Sequence, residues 1–260
     1  MHRLYLRQGN ITFCKAFVDN LREKGIILTR RDTFNRNGVM INHGNSNDIK
    51  YGKKVNRFYL LNHPNSIMYT ANKMRTYKLL PSYHPKVYEN RRDIRAPVIA
   101  KPRTGHHGYG IKILNTNKEV DDFFSYNSFS NYIVEDLIDI KHEYRFNVVA
   151  GEVYQVSKKI KQDMYTEKGG YVFAYKSLGS DAKISQKFWD FVNNIIKDIE
   201  RKLGNKLGSY CIDIIKGQDG EYYLTELNSA YGIGQFTLET LINTIDVKYN
   251  NGELEDYRVI

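Results

Sequence analysis

The chain has 260 residues and a formal net charge of +10, and 41% of its residues are hydrophobic, so it can form a packed core and is not a disordered chain. No apolar run reaches the roughly 18 residues of a membrane-spanning helix, and the start MHRLYLRQGN lacks the apolar segment of a signal peptide. Cys14 and Cys211 lie far apart without metal-ligand spacing, so we expect reduced thiols in a cytoplasmic protein.

The positive charge is concentrated in the N-terminal third of the chain. Residues 1–95 contain 19 basic and 6 acidic residues, whereas residues 96–260 contain 20 basic and 23 acidic ones. Such a local excess suggests an acidic macromolecular partner, for example nucleic acid, an acidic peptide tail or polyphosphate. A solvated surface without any partner explains the same excess equally well.

The first 80 residues have the pattern of a small open α/β unit. The segments LYLRQG, IILT, GVMIN and RFYLLN are predicted strands, and ITFCKAFVDNLREKG is a predicted helix that ends at Gly25. NSIMYTANKMRTYKLL has one broadly apolar side and predicts a single second helix. We therefore predict a basic N-terminal α/β domain over residues 1–80.

From about residue 97 the predicted elements are mostly strands joined by loops and hairpins. PVIAKP and GIKIL are predicted strands on either side of a glycine-rich loop, followed by the capped helix TNKEVDDFFSY and the strand YIVEDLI. EYRFNVVAGEVYQVSKKI predicts a hairpin that turns at Ala150 and Gly151, and KQDMYTEKGGY predicts a polar loop. Residues 184–203 carry an apolar helical stripe, SYCIDIIK and EYYLTELN form a second hairpin, and a last helix covers about 235–246. We predict a second domain over residues 81–260.

The glycine-rich loop predicts a phosphate site. Gly105, Gly108 and Gly110 remove side-chain bulk, so that backbone N–H groups can approach an anion closely. The order G-x-x-G-x-G between two strands matches neither a P-loop nor the dinucleotide fingerprint, but it is similar to a flap that closes over phosphates. Lys101 in the preceding strand and Lys73 in the upstream helix are candidate cations for the same phosphates.

Two histidines lie inside this loop. If the loop binds through backbone amides, His106 and His107 point outward and their identity matters little. Alternatively, His106 donates a hydrogen bond to a γ-phosphate or an acidic substrate, or senses pH.

The second hairpin predicts a metal site. Glu226 and Asn228 share one face of their strand, and the GQDG turn allows Asp213 to approach Glu226. Carboxylate and amide oxygens are suitable ligands for Mg²⁺, which often bridges to substrate phosphates. A solvent-facing hairpin is the alternative, but burying Asp213 in CIDII without a partner is costly.

The first hairpin places Glu143 and Arg145 on one face. With the turn at 150–151, position 143 lies opposite 158 and position 145 opposite 156, so we expect Lys158, not Lys159, beside them. These residues are either a ladder of ion pairs on the surface or part of a nucleotide site. In the second case the acid would bind a ribose and the two cations would bind phosphates.

The helix with Lys73, the glycine-rich loop, the strand YIVEDLI and the two hairpins follow one another from about residue 60 to 240. In this order they resemble the ATP-grasp superfamily, and most of all its RimK-type branch of glutamate and amino-acid ligases. The resemblance implies an α/β (α+β) ATP-grasp fold behind a small N-terminal open α/β domain. The phosphate-loop subdomain would cover about 97–135 and the metal-binding, catalytic subdomain about 136–250.

The resemblance also implies roles for individual residues. Glu135 would lead the adenine-binding hinge, the backbone at Leu137 and Ile138 would hold the base, and Glu143 would bind the ribose. The remaining nucleotide contacts would be Lys73, Lys101, Gly105, His106, Gly108 and Gly110. Arg145 and Lys158 would be catalytic, and the ligands of Mg²⁺ or Mn²⁺ would be Asp213, Glu226 and Asn228.

The activity implied is that of an ATP-dependent carboxylate–amine ligase. ATP would phosphorylate a carboxylate of a small molecule, peptide or protein, and an amine would attack the acyl phosphate without a protein nucleophile. Two alternatives stay open, an ATP-grasp kinase with a hydroxyl acceptor and a nucleic-acid-binding protein with a retired ATP site. Relatives bind the acceptor at a loop corresponding to about 161–180, where no residue matches clearly, so the substrates are not predicted.

Overall fold

A computed structural model describes residues 3–8, 15–105, 108–165, 171–178, 184–230 and 235–260. Within these ranges no helix combines the length and the apolar character that crossing a membrane requires. The described residues form three larger sheets, a two-stranded ribbon and six α-helices.

The first sheet is parallel and has the strand order β2-β1-β4-β6. Its strands are β1 (Leu4–Gln8), β2 (Ile27–Thr29), β4 (Gly38–His43) and β6 (Phe58–Leu61), and helix α1 (Lys15–Glu23) connects β1 to β2. Two short strands that the sequence did not predict, β3 (Thr33–Phe34) and β5 (Lys50–Tyr51), pair separately. The strand–helix–strand start is therefore confirmed.

The second sheet is antiparallel and holds the glycine-rich loop. Its order is β7-β10-β8-β9, with β7 (Val87–Tyr88), β8 (Val98–Pro102), β9 (Lys112–Leu114) and β10 (Tyr132–Asp136). Helix α4 (Asn117–Tyr126) packs on it through Val120 and Phe124. The loop joins β8 directly to its antiparallel partner β9, so the expected strand–loop–strand arrangement is confirmed.

The third sheet has five antiparallel strands in the order β13-β12-β11-β14-β15. They are β11 (Ile140–Val149), β12 (Glu152–Tyr165), β13 (Tyr171–Leu178), β14 (Ser209–Gly217) and β15 (Tyr222–Asn228). Helix α5 (Gln186–Leu203) buries the predicted apolar stripe against one face. Helix α6 (Gln235–Asn250) packs between this sheet and the parallel sheet, and it is longer than expected.

The predicted single helix over residues 65–80 is two helices, α2 (Pro64–Ala71) and α3 (Lys73–Leu79). Asn72 between them is extended, with φ −132° and ψ 112°, and its side chain accepts a hydrogen bond from the Arg75 amide. Asparagine is a favoured N-cap because its side chain satisfies an amide that has no helical partner. The break makes Lys73 the first residue of α3.

The predicted polar loop KQDMYTEKGGY starts as strand. β12 continues to Tyr165 and β13 starts at Tyr171, with Lys161 opposite Phe173. An antiparallel partner supplies the backbone hydrogen bonds whatever the side-chain polarity, so tertiary pairing overrides the polar composition.

Candidate functional site

The five-stranded sheet carries a row of polar side chains on the face opposite α5. Cross-strand partners share a face, and Lys159 lies opposite Tyr175, Arg145 opposite Asp213, and Asp213 opposite Glu226. The predicted approach of Asp213 to Glu226 is therefore confirmed. Together with the next residues along the strands, the row comprises Tyr175, Lys159, Glu143, Arg145, Asp213, Glu226 and Asn228.

Glu143 accepts a hydrogen bond from Lys159, and Lys158 lies on the other face of β12. A β-bulge between Asn147 and Val148 shifts the pairing, so that Lys158 lies opposite Tyr144. Because a slip of one residue turns every side chain to the other face, the expected position of Lys158 beside Glu143 and Arg145 is wrong. The predicted turn is correct, with positive φ at Ala150 (45°) and Gly151 (75°). No feature of the sequence marks the bulge beyond the turn.

Arg145 is fixed by a bidentate ion pair. Its Nε and Nη2 donate to Oδ1 and Oδ2 of Asp213, both at 2.7 Å, and both residues are buried. Its guanidinium carbon lies 4.3 Å from the ring centroid of Tyr175. Burial acts to lower the pKa of Arg145, but Asp213 together with the neighbouring Cys211 and Tyr175 outweighs burial and raises this pKa above its usual range. Arg145 is thus a fixed cation with Nη1 outside this pair.

The acidic hairpin offers oxygen ligands. Asp213 and Glu226 are direct cross-strand partners, and Asn228 lies two residues further along β15, where its Oδ1 accepts from the Ala230 amide at 2.7 Å. The described ranges contain no cluster of three or more His, Cys, Asp or Glu residues. Two carboxylates and one amide fit a hard cation such as Mg²⁺, which retains water molecules and substrate oxygens among its ligands.

Lys73 connects the glycine-rich loop to the acidic hairpin. Its Nζ donates to the Gly105 carbonyl oxygen at 3.2 Å and lies 3.4 Å from Oε1 of Glu226. The Lys73 amide donates to the Arg103 carbonyl at 2.8 Å, which ties the start of α3 to the end of β8. The helix break at Asn72 thus brings a cation to the junction of loop and hairpin.

The loop requires glycine for its backbone conformation. Gly105, Gly108 and Gly110 have φ values of 140°, 72° and 74°, in a region that other residues rarely adopt. At Gly110 a Cβ would also lie 2.9 Å from the Pro102 side chain. His106 and His107 lie outside the described residues, so the alternatives for them stay predictions.

Lys101 and Glu135 form a buried ion pair. Nζ of Lys101 donates to Oε2 of Glu135, and Nδ1 of His84 lies 3.4 Å from the other carboxylate oxygen. Burial acts to raise the pKa of Glu135, but Lys101 and His84 outweigh it and lower the pKa to about 2. Glu135 is therefore a carboxylate engaged by Lys101, and a phosphate would have to compete for that cation.

The expected adenine hinge follows β10 directly. The Leu137 amide already donates to the Pro97 carbonyl at 3.3 Å. A purine base at this position would therefore use the Leu137 carbonyl or the peptide group of Ile138.

Three residues of the site were missed from the sequence. A regular hairpin register predicts Lys158 instead of Lys159, because the sequence does not mark the bulge. Tyr175 lies in the segment whose residues could not be matched, and only its position opposite Lys159 places it near Arg145. His84 stands in PSYHPK without a partner at a recognisable spacing, and no signal marks its contact with Glu135.

Comparison with known proteins identifies the family of the chain. Residues 84–242, more than half of the chain, match the family model of the ATP-grasp domain, R-2-K clade family 2. The uncharacterized protein MG011 of Mycoplasma genitalium is 24% identical over 243 residues, which cover 86% of this chain and 80% of that protein.

Solved structures share the fold at low sequence identity. The ATP-grasp ligase PsnB in complex with a minimal precursor has a TM-score of 0.61 at 11% identity, covering 95% of this chain and 99% of that one. D-alanine–D-alanine ligase from Bacillus anthracis in complex with ATP has a TM-score of 0.58 at 14% identity, covering 96% and 99%. These likenesses confirm the expected mixed α/β fold with its N-terminal parallel sheet. The chain belongs to the ATP-grasp superfamily, in the clade that the matching family model describes.

Proposed function

We propose that the protein is an ATP-dependent, ADP-forming carboxylate–amine ligase that works through an acyl phosphate. Family membership and the ligases among its structural neighbours support this class of reaction. The observation that carries the proposal is the position of Lys73, whose Nζ contacts both the glycine-rich loop and Glu226. A phosphate under the loop would therefore lie beside the acidic hairpin, where charge must be neutralised during phosphoryl transfer.

The nucleotide would lie between the second and third sheets. Lys73, Lys101 and the amides of the glycine-rich loop would bind its phosphates, with Lys101 leaving Glu135 to do so. The Leu137–Ile138 backbone would hold the base. Burial is the main cause that raises the pKa of Glu143, and this carboxyl would accept from the ribose hydroxyls.

Asp213, Glu226 and Asn228 would hold Mg²⁺ or Mn²⁺. The donor set fits because the carboxylates of Asp213 and Glu226 are direct cross-strand partners and the Asn228 amide follows on the same strand. When bound, the metal neutralises negative charge on the transferred phosphate and helps to align it. Glu226 would exchange its contact with Lys73 for this role, while Asp213 retains lone pairs beyond those that Arg145 uses.

The chemistry needs two displacements. A substrate carboxylate oxygen attacks the γ-phosphorus, the bond to the ADP oxygen breaks, and an acyl phosphate forms. An amine nitrogen then attacks the acyl carbon, inorganic phosphate leaves, and the nitrogen loses a proton. Arg145, held by Asp213 and stacked on Tyr175, would present Nη1 to the phosphate and to the oxyanion of the tetrahedral intermediate.

The resemblance to the RimK-type branch makes an amino acid the first amine to test, and a peptide or protein carboxylate the first acid. The need for ATP makes the cytoplasm the expected compartment. Lys159 replaces Lys158 in the proposed catalytic set because it shares the face of Glu143 and Arg145.

The test is ADP release from Mg-ATP across a matrix of carboxylates and amines, with hydroxylamine present to trap acyl phosphates. We expect a carboxylate-dependent hydroxamate, and Glu226→Ala should abolish it. Glu221→Ala, which removes an exposed acid of the same hairpin, is the matched control. ADP that depends on a hydroxyl acceptor and never yields hydroxamate would replace the ligase with a kinase.

A further inference from the structure

The short strands β3 and β5 create a strongly basic surface on the N-terminal sheet. They pair with Thr33 opposite Lys50 and Phe34 opposite Tyr51, and the amides of Lys50 and Gly52 donate to the carbonyls of Asp32 and Phe34, both at 2.7 Å. Residues 30–36 and 50–54 therefore run side by side, and we call these two segments the basic ribbon. Its six cationic residues are all exposed: Arg30, Arg31, Arg36, Lys50, Lys53 and Lys54.

The charge of the ribbon is not neutralised from within. None of the six cations forms an ion pair with a residue in the described part of the chain. The ribbon's one acid, Asp32, accepts from the fully buried Arg7, which also donates to the Asn47 carbonyl at 2.9 Å. Asp32 thus balances a buried charge beneath the ribbon. Between residues 27 and 57 the sequence holds one further acid, Asp48.

The ribbon offers charge but no apolar anchor. Phe34 is buried against Tyr5, with ring centroids 5.4 Å apart, and the half-buried Tyr51 lies 5.1 Å from Phe58. Protein partners usually gain most of their affinity from aromatic and other side chains that fill desolvated pockets. A nucleic acid needs no such pocket, because neutralising regularly spaced phosphates releases condensed counterions. Arginine and lysine side chains are the usual phosphate contacts.

We propose that the basic ribbon binds nucleic acid through its phosphate backbone, without reading base sequence. The aromatic residues under the ribbon lie on one face of the parallel sheet. The other face, with Leu6 and Ile41, packs against α6 and the five-stranded sheet. Nucleic acid on the ribbon would therefore leave the ATP site open. The proposal does not depend on the ligase activity and stands or fails separately from it.

The test is fluorescence anisotropy with labelled single-stranded RNA, single-stranded DNA and duplex DNA across about 50 to 300 mM salt. The ribbon variant combines Arg31→Gln, Lys50→Gln and Lys53→Gln. The control combines Lys118→Gln, Lys187→Gln and Lys197→Gln, which remove the same charge from exposed helical positions elsewhere. A polyglutamate peptide serves as the acidic-protein probe.

We expect the wild type and the control to bind all three nucleic acids with a similar salt dependence. The ribbon variant should bind on the order of tenfold or more weakly, and its log–log salt slope should fall by about 2 to 3 because three phosphate contacts are lost. Equal losses in both variants would reduce the effect to net charge and overturn the proposal. Absence of binding at low salt would overturn it too. Tighter binding of polyglutamate than of nucleic acid would replace it with an acidic-peptide surface.

Discussion

Lys158 and Lys159 are adjacent in sequence but lie on opposite faces of β12, because the bulge at Asn147 and Val148 decides which of them meets Glu143. Individual residues also decide how charge is neutralised in the site, which contains two buried ion pairs. Arg145 with Asp213 and Lys101 with Glu135 each cancel charges that would be costly to bury alone. Arg145 is thus held in place before any nucleotide binds, whereas Lys101 would have to exchange Glu135 for a phosphate.

The lysine pair gives the sharpest test of the observed register. Lys159→Ala should lower ATP turnover about 100-fold, because a positioned donor near the transferred phosphate is lost. Lys158→Ala removes the same side chain from the other face and should stay near wild type. Steady-state ADP release measures both. A larger defect in Lys158→Ala would mean that the working enzyme uses the register without the bulge.

Glu135 links the site to pH-dependent stability. Its pKa falls from 4.5 to about 2 on folding, so its ion pair contributes stability above the unfolded pKa and loses it as pH falls towards 2. Glu135→Gln should therefore lower the free energy of unfolding by about 3 kcal/mol at pH 7, and this difference should shrink steadily below about pH 4.5. Urea unfolding at several pH values measures it.

A control keeps the Glu135 prediction specific. Glu221→Gln removes an exposed carboxylate paired with Lys187 and should leave the urea midpoint almost unchanged. If the two variants behaved alike, Glu135 would not be a buried ion-pair partner in solution.

At the scale of elements, two connections define the phosphate end of the site. The break at Asn72 starts α3 at Lys73, and the loop between β8 and β9 passes close enough for its Gly105 carbonyl to accept from that lysine. A continuous helix over residues 65–80 would turn Lys73 to another direction. The helix break is therefore as important to the site as the glycines.

Gly110→Ala tests the loop. The new methyl group would meet the Pro102 side chain at 2.9 Å in a backbone with φ 74°, so the loop must shift. We expect the KM for ATP to rise about tenfold or more, because the phosphate amides move away from their ligand. Gly220→Ala is the control. It places a methyl group on a residue with a similar positive φ (85°), in the turn between β14 and β15, where no atom lies close to the new methyl group. If the KM for ATP rose equally in both variants, the glycine-rich loop would not be the phosphate-binding element.

For the whole molecule, one core cluster connects the parallel sheet to the five-stranded sheet. The cluster includes Leu6 and Ile41 from the parallel sheet and Cys211 from the five-stranded sheet. Leu241 and Ile245 of α6 lie between the two sheets. The C-terminal residues also return to β6, where the Val259 amide donates to the Phe58 carbonyl at 2.9 Å. The division into residues 1–80 and 81–260 remains a prediction.

Leu241→Ala measures how far this shared core couples the two sheets. Leu241 is fully buried, so its truncation should cost about 3 kcal/mol, whereas Val247→Ala at an exposed position of the same helix should cost little. We expect calorimetry to show a single transition that moves to lower temperature as a whole. Two separate transitions, only one of them shifted, would show that the predicted domains unfold independently.

The sequence by itself determined the features that depend on near neighbours. Ala150 and Gly151, within a segment that reads as two strands, specified a turn, the glycines specified a loop between two strands, and the apolar spacing along residues 184–203 specified α5. The hairpin at GQDG also implied that Asp213 approaches Glu226, but a register shift between Asp213 and Ile214, which the turn does not encode, sets the two residues directly opposite each other. Order and chemistry of these segments were enough to suggest the superfamily.

Only the tertiary structure decided which side chains meet. The bulge at Asn147 and Val148 turned Lys159 inward, and an extended residue at Asn72 aimed Lys73 at Glu226. The contacts of Glu135 with both Lys101 and His84 join residues from three separate parts of the chain. Strand faces alternate with every residue, and contacts between distant segments depend on how the sheets pack, so neither is encoded in any local pattern.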